Sequence, residues 1–532
     1  ATRVGPTGLI EKGRENLLKQ SNQFDTTWVQ SGATLTSGQA GYDGSNDAWL
    51  LTKNAAFGRL DQTIASSGVQ VYSLYAKAND SDWIYFRADY SGGVASGYFD
   101  LANGVGGSFG NTIDSDITSV GNGWYRIQIV FNKTTTIVRI YPAEDNNQSG
   151  GTSGSVYIQD AQLEAGLVAT DYIESGATTG KAGLLENEPR LDYSGGATCP
   201  SLLLEPSRTN LIEQSEYFEN YSQNRVAFAY NSTTSPEGLV NAAEFNDTAT
   251  SGTHFVVLRS GVAGGGVMSF FAKQNTHRYV QAGPSSSISK RVFFDLQDGV
   301  MATIGGSAES YYGIEDYGNG WYRCYVAFGN LESPSIFTAT GDGSSFNDNN
   351  YTGDGSGVYI YGAQVEQNVS YPTSYIPTHG SSVTRSDDFM NISSLADEIN
   401  GNSFTYFLEV NNEAVVRDAS TGNISVGATG NRFFLYNSNA TSNRLQLFIQ
   451  DSGGIEQYVL SADNVKIAIR FEPNNVEVFE NGVSVLSTTQ NLDFSANSAY
   501  VLRGTTREIG IKQTAIFPTA LTDSECIALT TI

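Results

Sequence analysis

One long block of this chain occurs twice. Leu9-Ile10-Glu11, Arg14 and Asn16-Leu17 return as Leu203-Leu204-Glu205, Arg208 and Asn210-Leu211, an offset of 194. Ala76-Lys77 returns as Ala272-Lys273, and Phe99-Asp100-Leu101 as Phe294-Asp295-Leu296. Gly121-Asn122-Gly123-Trp124-Tyr125-Arg126 returns as Gly318-Asn319-Gly320-Trp321-Tyr322-Arg323. Ala161-Gln162-Leu163-Glu164 returns as Ala363-Gln364-Val365-Glu366, and Tyr172-Ile173 as Tyr375-Ile376, where the offset has grown to 203. Matches that keep their order while spacing drifts only in turns indicate two copies of one domain.

The copies divide the 532 residues into a junction segment 1–15, a first repeat 16–175, a junction 176–209, a second repeat 210–378 and a different third region 379–532. Within the repeats, apolar runs are short and alternating. Trp83-Ile84-Tyr85-Phe86-Arg87-Ala88 and Trp124-Tyr125-Arg126-Ile127-Gln128-Ile129-Val130-Phe131 are examples. β-branched and aromatic strands punctuated by Gly, Asn and Asp predict β-sandwiches. The third region alternates too, in Phe404–Val410, Arg444–Ile449 and Lys466–Phe471, and Asn481-Gly482 marks a hairpin. Thr522 with Glu525 is a capping box and predicts one short terminal helix. The expectation is an all-β protein of three β-sandwich domains: two repeated jelly rolls and one further sandwich.

Composition narrows the functional classes. Acids outnumber bases 55 to 30, a formal charge of −25, and charged residues make up 16%. Phosphate backbones and anionic membranes would be repelled, so no nucleic-acid partner and no membrane insertion are expected. A sugar target would be neutral, basic or bridged by calcium, unless a local basic patch intervenes. Cys199, Cys324 and Cys526 are too few and too far apart for a disulfide framework or a zinc knuckle. The start, Ala1-Thr2-Arg3-Val4, reads as a cut or processed end.

The junction pieces Ala1-Thr2-Arg3-Val4 to Gly8-Leu9-Ile10-Glu11 and Pro189-Arg190-Leu191-Asp192-Tyr193 to Leu203-Leu204-Glu205 resemble a junction motif of bacteriophage tail and virion proteins. The Asn-Gly-Trp-Tyr-Arg and Ala-Gln-Leu/Val-Glu blocks resemble carbohydrate-binding-module-like jelly rolls. The third region, through Phe479-Glu480-Asn481-Gly482-Val483 and Phe517-Pro518-Thr519, is similar to concanavalin A-like or laminin-G-like sandwiches. This resemblance implies a virion protein, such as a tail fibre, tail tip or head fibre. Its partners would be a host cell-surface glycan, other virion proteins and further copies of itself, by analogy as a trimer. It also implies an extracellular particle as location. The alternatives are a structural or decorating virion protein without a sugar ligand, or a polysaccharide-degrading enzyme.

Catalytic motifs are weak, and the expectation is not an enzyme. His254, His277 and His379 form no HExxH, and GxSxG is absent. Gly176-Ala177-Thr178-Thr179-Gly180-Lys181-Ala182 is too short for a P-loop and lacks its Ser/Thr. Sugar rings stack on exposed aromatic faces. Trp83, Tyr85 and Arg87 share one side of a strand, with Ile84 and Phe86 on the other, and His277 with Tyr279 holds the corresponding place in the second copy. These five are the candidate ligand-binding residues. Trp124 and Trp321 read as core, and Arg126 and Arg323 as paired with acids; Trp28 and Trp49 fit either a ligand or local packing. A structural calcium is a second candidate partner. Asp342, Asn347, Asp348, Asn349, Asn350 and Asp354, or Glu144-Asp145-Asn146-Asn147 in the first copy, offer oxygens, and Glu164 and Glu366 could be ligands or members of a buried polar network.

Overall fold

The structure is a computed structural model that describes residues 2–308, 311–345, 348–392, 402–411, 424–428, 431–437, 445–461, 464–494, 500–503 and 509–531. Ala1, Asn347 and Arg444, cited above, lie outside them. The fold is all-β, built of stacked antiparallel sheets, with one short α-helix and two 3-10 turns among the described residues.

The first repeat forms two six-stranded sheets. One runs Val105–Gly110, Gly93–Asp100, Trp83–Tyr90, Thr135–Ala143, Arg59–Ser66, Val29–Ser31. The other runs Asp114–Gly121, Trp124–Asn132, Val69–Ala78, Ser155–Ala165, Ala48–Lys53, Ala33–Gln39. The second repeat has the same strand order in both sheets, from Val300–Ile304 to Ser222–Asn224 and from Tyr312–Asp316 to Val226–Thr234. Each pair of sheets encloses its own apolar core. The repeated Asn-Gly before Trp is a tight turn. Asn122 and Asn319 both have φ 52°, and Gly123 and Gly320 follow at φ 78° and 77°. Left-handed backbone at both central residues suits a two-residue hairpin and favours Asn-Gly.

Buried polar residues repeat as well. Asn16 Nδ2 donates to the carbonyls of Ala161 and Ile173, while its Oδ1 accepts from the amides of Leu18 and Leu163. Asn210 does the same with Ala363, Ile376, Ile212 and Val365. Glu164 and Glu366 belong to buried networks, accepting from Gln162 and Thr170, and from Gln364 and Thr373. Trp124 and Trp321 are buried, as their recurrence predicts. Arg126 and Arg323 depart from expectation. They donate to the Thr170 and Thr373 carbonyls, both at 2.5 Å, and to the Ser73 and Ser269 hydroxyls, rather than to an acid. A carbonyl at the end of the exit segment supplies the acceptor that a carboxylate was expected to provide. Trp28 and Trp49 pack into the first core, their indole N–H groups donating to the Gln20 and Asn22 carbonyls.

The third region packs a seven-stranded sheet on a six-stranded one around a core that includes Phe404, Tyr406, Phe433, Leu447 and Phe471. The seven-stranded sheet does not come from this region alone. Leu191–Asp192 and Ser201–Leu204, from the junction, complete it by pairing Leu202 with Ile511 and Leu204 with Ile509. Junction strands also tie the repeats. Ile10–Asn16 pairs with Thr2–Val4 and with Gly180–Gly183, and Arg208–Asn210 pairs with Val383–Arg385. Where these strands meet, Glu205 is buried between Arg190 at 2.7 Å and Arg385 at 2.5 Å, and Asp388 also pairs with Arg190. The helix Asp523–Thr530 starts at Thr522 with both hydrogen bonds of the capping box.

Candidate functional site

On Trp83–Tyr90 the side chains divide cleanly. Ile84, Phe86 and Ala88 enter the core, so Trp83, Tyr85, Arg87 and Asp89 face away from it. Neighbouring strands add to that outer face. Tyr85 stands opposite Tyr98 on one side and Tyr141 on the other, Arg87 opposite Arg139, and Arg139 opposite Asp61.

Trp83 is half-buried and lies against the backbone of Gly107, where a Cβ would come within 2.6 Å of the indole and 2.7 Å of the Asn146 Oδ1. Only glycine lets the ring lie there. Tyr85 is 8% exposed, stacked on Tyr98 at 4.2 Å and tilted against Tyr141 at 5.3 Å. It is thus the floor of the face rather than an open platform. The guanidinium of Arg87 sits over Tyr141 at 5.4 Å, and that of Arg59 at 5.8 Å. Burial raises the Tyr141 hydroxyl above its ordinary value, against the pull of Arg87, Arg59 and Arg139.

A charged row lies beside the tyrosines. Arg59 pairs with Asp61 at 2.9 Å, Arg87 with Asp89 at 2.8 Å, and Arg139 reaches Asp89 at 2.6 Å and Asp61 at 3.3 Å. These five side chains keep 16–25% exposure. Sequence reading put Trp83, Tyr85 and Arg87 on one side of a strand but missed that Tyr98, Tyr141, Arg59 and Arg139 join that side, because three further strands bring them in and strand pairing is not written locally. A period-two reading of each strand would have placed them on a common side only once the strand order was known.

The second repeat fills the same face. Tyr279, Gln281, Phe293 and Phe337 take the places of Trp83, Tyr85, Tyr98 and Tyr141. Gly283 replaces Arg87, and Arg291 crosses it to lie 3.8 Å over Phe337. Gln281, Phe293, Phe337 and Arg291 are all buried. Arg291 donates to the Pro284 and Ser285 carbonyls, and burial lowers it to about 10. His277 precedes the strand. Its Nε2 lies 3.0 Å from Asp247 Oδ2, and Asp247 Oδ1 accepts from the amides of Asp354 and Gly355. His277 is therefore anchored away from Tyr279, which lies beneath the Arg278 guanidinium.

The acidic loops satisfy themselves. Asp348 Oδ2 accepts from the Gly343 and Ser345 amides, Asp354 from Ser356, and Glu144 pairs with Lys53 at 2.7 Å. Among the described residues, no group of three or more His, Cys, Asp or Glu is placed to hold a metal ion. No helix among them is long and apolar enough to cross a membrane.

A cavity of about 320 Å³ lies where the first junction strand meets both repeats, lined by Lys12, Arg14, Lys181, Leu184, Pro377 and His379, among others. Beneath it Lys12 pairs with Glu216 at 2.8 Å and Glu237 at 2.9 Å, and Arg14 with Glu237 at 3.0 Å. Burial lowers His379 to about 4, so the imidazole is neutral near pH 7.

No family model matches the chain, and a search of curated proteins finds no match. Among solved structures, it is similar to domain 4 of AbnA, a GH43 extracellular arabinanase from Geobacillus stearothermophilus, in complex with arabinotriose. That match has 21% identity and a TM-score of 0.20 over 25% of this chain and 68% of the other. It is also similar to the N-terminal CBM22-1-CBM22-2 tandem domain of Xyn10C from Paenibacillus barcinonensis, with 10% identity and a TM-score of 0.18 over 66% of this chain and 97% of the other.

Proposed function

We propose that this chain is a bacteriophage virion protein, in a tail fibre, tail tip or head fibre, that binds a host cell-surface glycan without cleaving it. The observation that carries the reading is the outer face of the first repeat. The Trp83 indole rests against Gly107, and a partly exposed row of arginines and aspartates runs beside it. An aromatic plane flanked by fixed donors and acceptors suits a sugar ring and its hydroxyls. Binding rather than turnover fits because Asp61 and Asp89 are both engaged by guanidinium groups. The C-terminal sandwich, as a concanavalin A-like or laminin-G-like domain, would serve as a second contact or as a spacer. Oligomerisation would multiply weak single sites, by about 10²–10⁴. A glycan array probed with the full chain and with Trp83→Ala tests this. Binding that disappears in the variant supports it, and an array with no binding refutes it.

A second reading, a structural or decorating virion protein, is favoured by one observation. Two junction residues that carry the resemblance, Arg190 and Glu205, are used up in buried pairing with each other and with Asp388 and Arg385.

A further inference from the structure

We infer that the ligand of the first repeat carries a carboxylate, and that this acidic sugar sits on the arginine row while a second ring stacks at Trp83. The inference rests on the glycan-binding reading of that face.

The first observation is charge. In a chain of formal charge −25, three guanidinium groups, Arg59, Arg87 and Arg139, share one partly exposed patch with two carboxylates, Asp61 and Asp89. Of the other carboxylates on this side, Glu144 is paired with Lys53, and Asp100 stands opposite Trp83 at the other end of the strand from Arg87, accepting from the amides of Ala102 and Asn103 and the Asn103 side chain.

The second observation is that the row sets like charges side by side. Arg87 and Arg139 stand directly opposite each other on paired strands, a placement that is destabilising without counter-charges. Asp61 and Asp89 supply them, with Arg87 Nε 2.8 Å from Asp89 Oδ1 and Arg139 Nε 3.3 Å from Asp61 Oδ1, so three guanidinium groups share two carboxylates.

The third observation comes from the duplication. The second repeat keeps the strand order and the buried Asn, Gln, Glu and Arg of the first. At the charged positions it has Phe255, Val257, Gly283 and Ser335 instead of Arg59, Asp61, Arg87 and Arg139. The fold therefore does not need the row, and a ligand specific to the first repeat accounts for it.

Geometry sets the spacing. Trp83 and Arg87 are four residues apart on one side of a strand, about 13 Å. A ligand that uses both ends is thus an oligosaccharide rather than a single sugar, lying along the strand over Tyr85. Arginine forks bind carboxylates through paired N–H donors, stronger than neutral hydrogen bonds.

The test is an array of oligosaccharides bearing uronic or sialic acid, each beside its carboxyl-reduced twin, followed by titration of the full chain with the best binder. We expect affinity to fall about tenfold or more on carboxyl reduction. A similar loss is expected in Arg139→Gln and on raising salt with the unaltered chain, which guards against a misfolded variant. The uronic and sialic arms show which acid is taken. Equal binding of acidic and reduced twins, abolished by Trp83→Ala, overturns this inference and leaves the glycan-binding reading standing. No binding to any member overturns both.

Discussion

Asn16 and Asn210 lie 194 positions apart, yet each is fully buried and makes the same four hydrogen bonds, two given and two accepted. An amide side chain offers two donors and a two-lone-pair acceptor, so each is saturated. Asn210→Ala leaves two amides and two carbonyls without partners in a dry site. Destabilisation of about 3 kcal/mol or more is expected, with Asn16→Ala similar. Urea titration of both variants checks this, and a loss under about 1 kcal/mol in either would show that the asparagine is replaceable.

Glu205 faces a harsher test. It is buried against both Arg190 and Arg385, and burial alone would raise its carboxyl, but the two arginines hold it below the ordinary value. Glu205→Gln takes the counter-ion from the buried Arg385 guanidinium and leaves Arg190 to Asp388. Breaking a buried pair from one side costs about 3–5 kcal/mol. Thermal unfolding is the measurement, and a melting temperature unchanged from the parent would contradict the assignment.

Stability should fall with acid, in two stages. His379, half-buried in the cavity wall, is lowered to about 4 from 6.5 by loss of solvation, so the unfolded chain binds its proton first and stability drops as pH falls from 6.5 towards 4. Glu205 and Glu216 are depressed below 4.5, by Arg385 with Arg190 and by Lys12 respectively. Their contribution is present above 4.5 and is lost as pH falls further. A melting series from pH 8 to 2 should show both, and His379→Gln should flatten the upper stage alone.

Trp83 and Tyr85 should separate binding from folding. Trp83 is half-buried at the rim, so Trp83→Ala should weaken glycan binding about tenfold with little change in melting temperature. Tyr85 is sandwiched among Tyr98, Tyr141 and Arg87, so Tyr85→Ala should lower both. Calorimetric titration alongside thermal melting distinguishes them; equal loss of stability in the two variants would place Trp83 in the packing instead.

Gly68 has no room to change. A Cβ there would lie 1.4 Å from the carbonyl oxygen of His379, which accepts from the Val69 amide and joins the two repeats. Gly68→Ala should loosen that joint while leaving each sandwich folded. Faster proteolytic cleavage between the repeats is the expected sign.

Period-two alternation and turn chemistry are local, and so the repeat, the sandwiches, the Asn481-Gly482 hairpin and the capping box at Thr522 were readable from sequence. Long-range pairing is not local. Nothing near Ser201–Leu204 announces that it will join Ile509–Phe517, and the segment reads as a plain junction. The site shows the same division. Trp83, Tyr85 and Arg87 share one strand, so their common side was readable, whereas Arg139 and Tyr98 depend on which strands become neighbours. Tyr85 was expected as a platform and is a floor, because stacking partners arrive from two other strands.

The junction strands carry a mechanical consequence. The chain enters and leaves the first repeat through Ile10–Asn16 and Gly180–Gly183, which are paired, and the second through Arg208–Asn210 and Val383–Arg385, also paired. The Val4 amide bonds to Asp192, and the next junction strand is stitched into the C-terminal sheet. Tension applied between the first junction and the last sandwich would therefore travel along this spine of short strands. Both jelly rolls hang from it as side loops, so neither would have to unravel to bear the load.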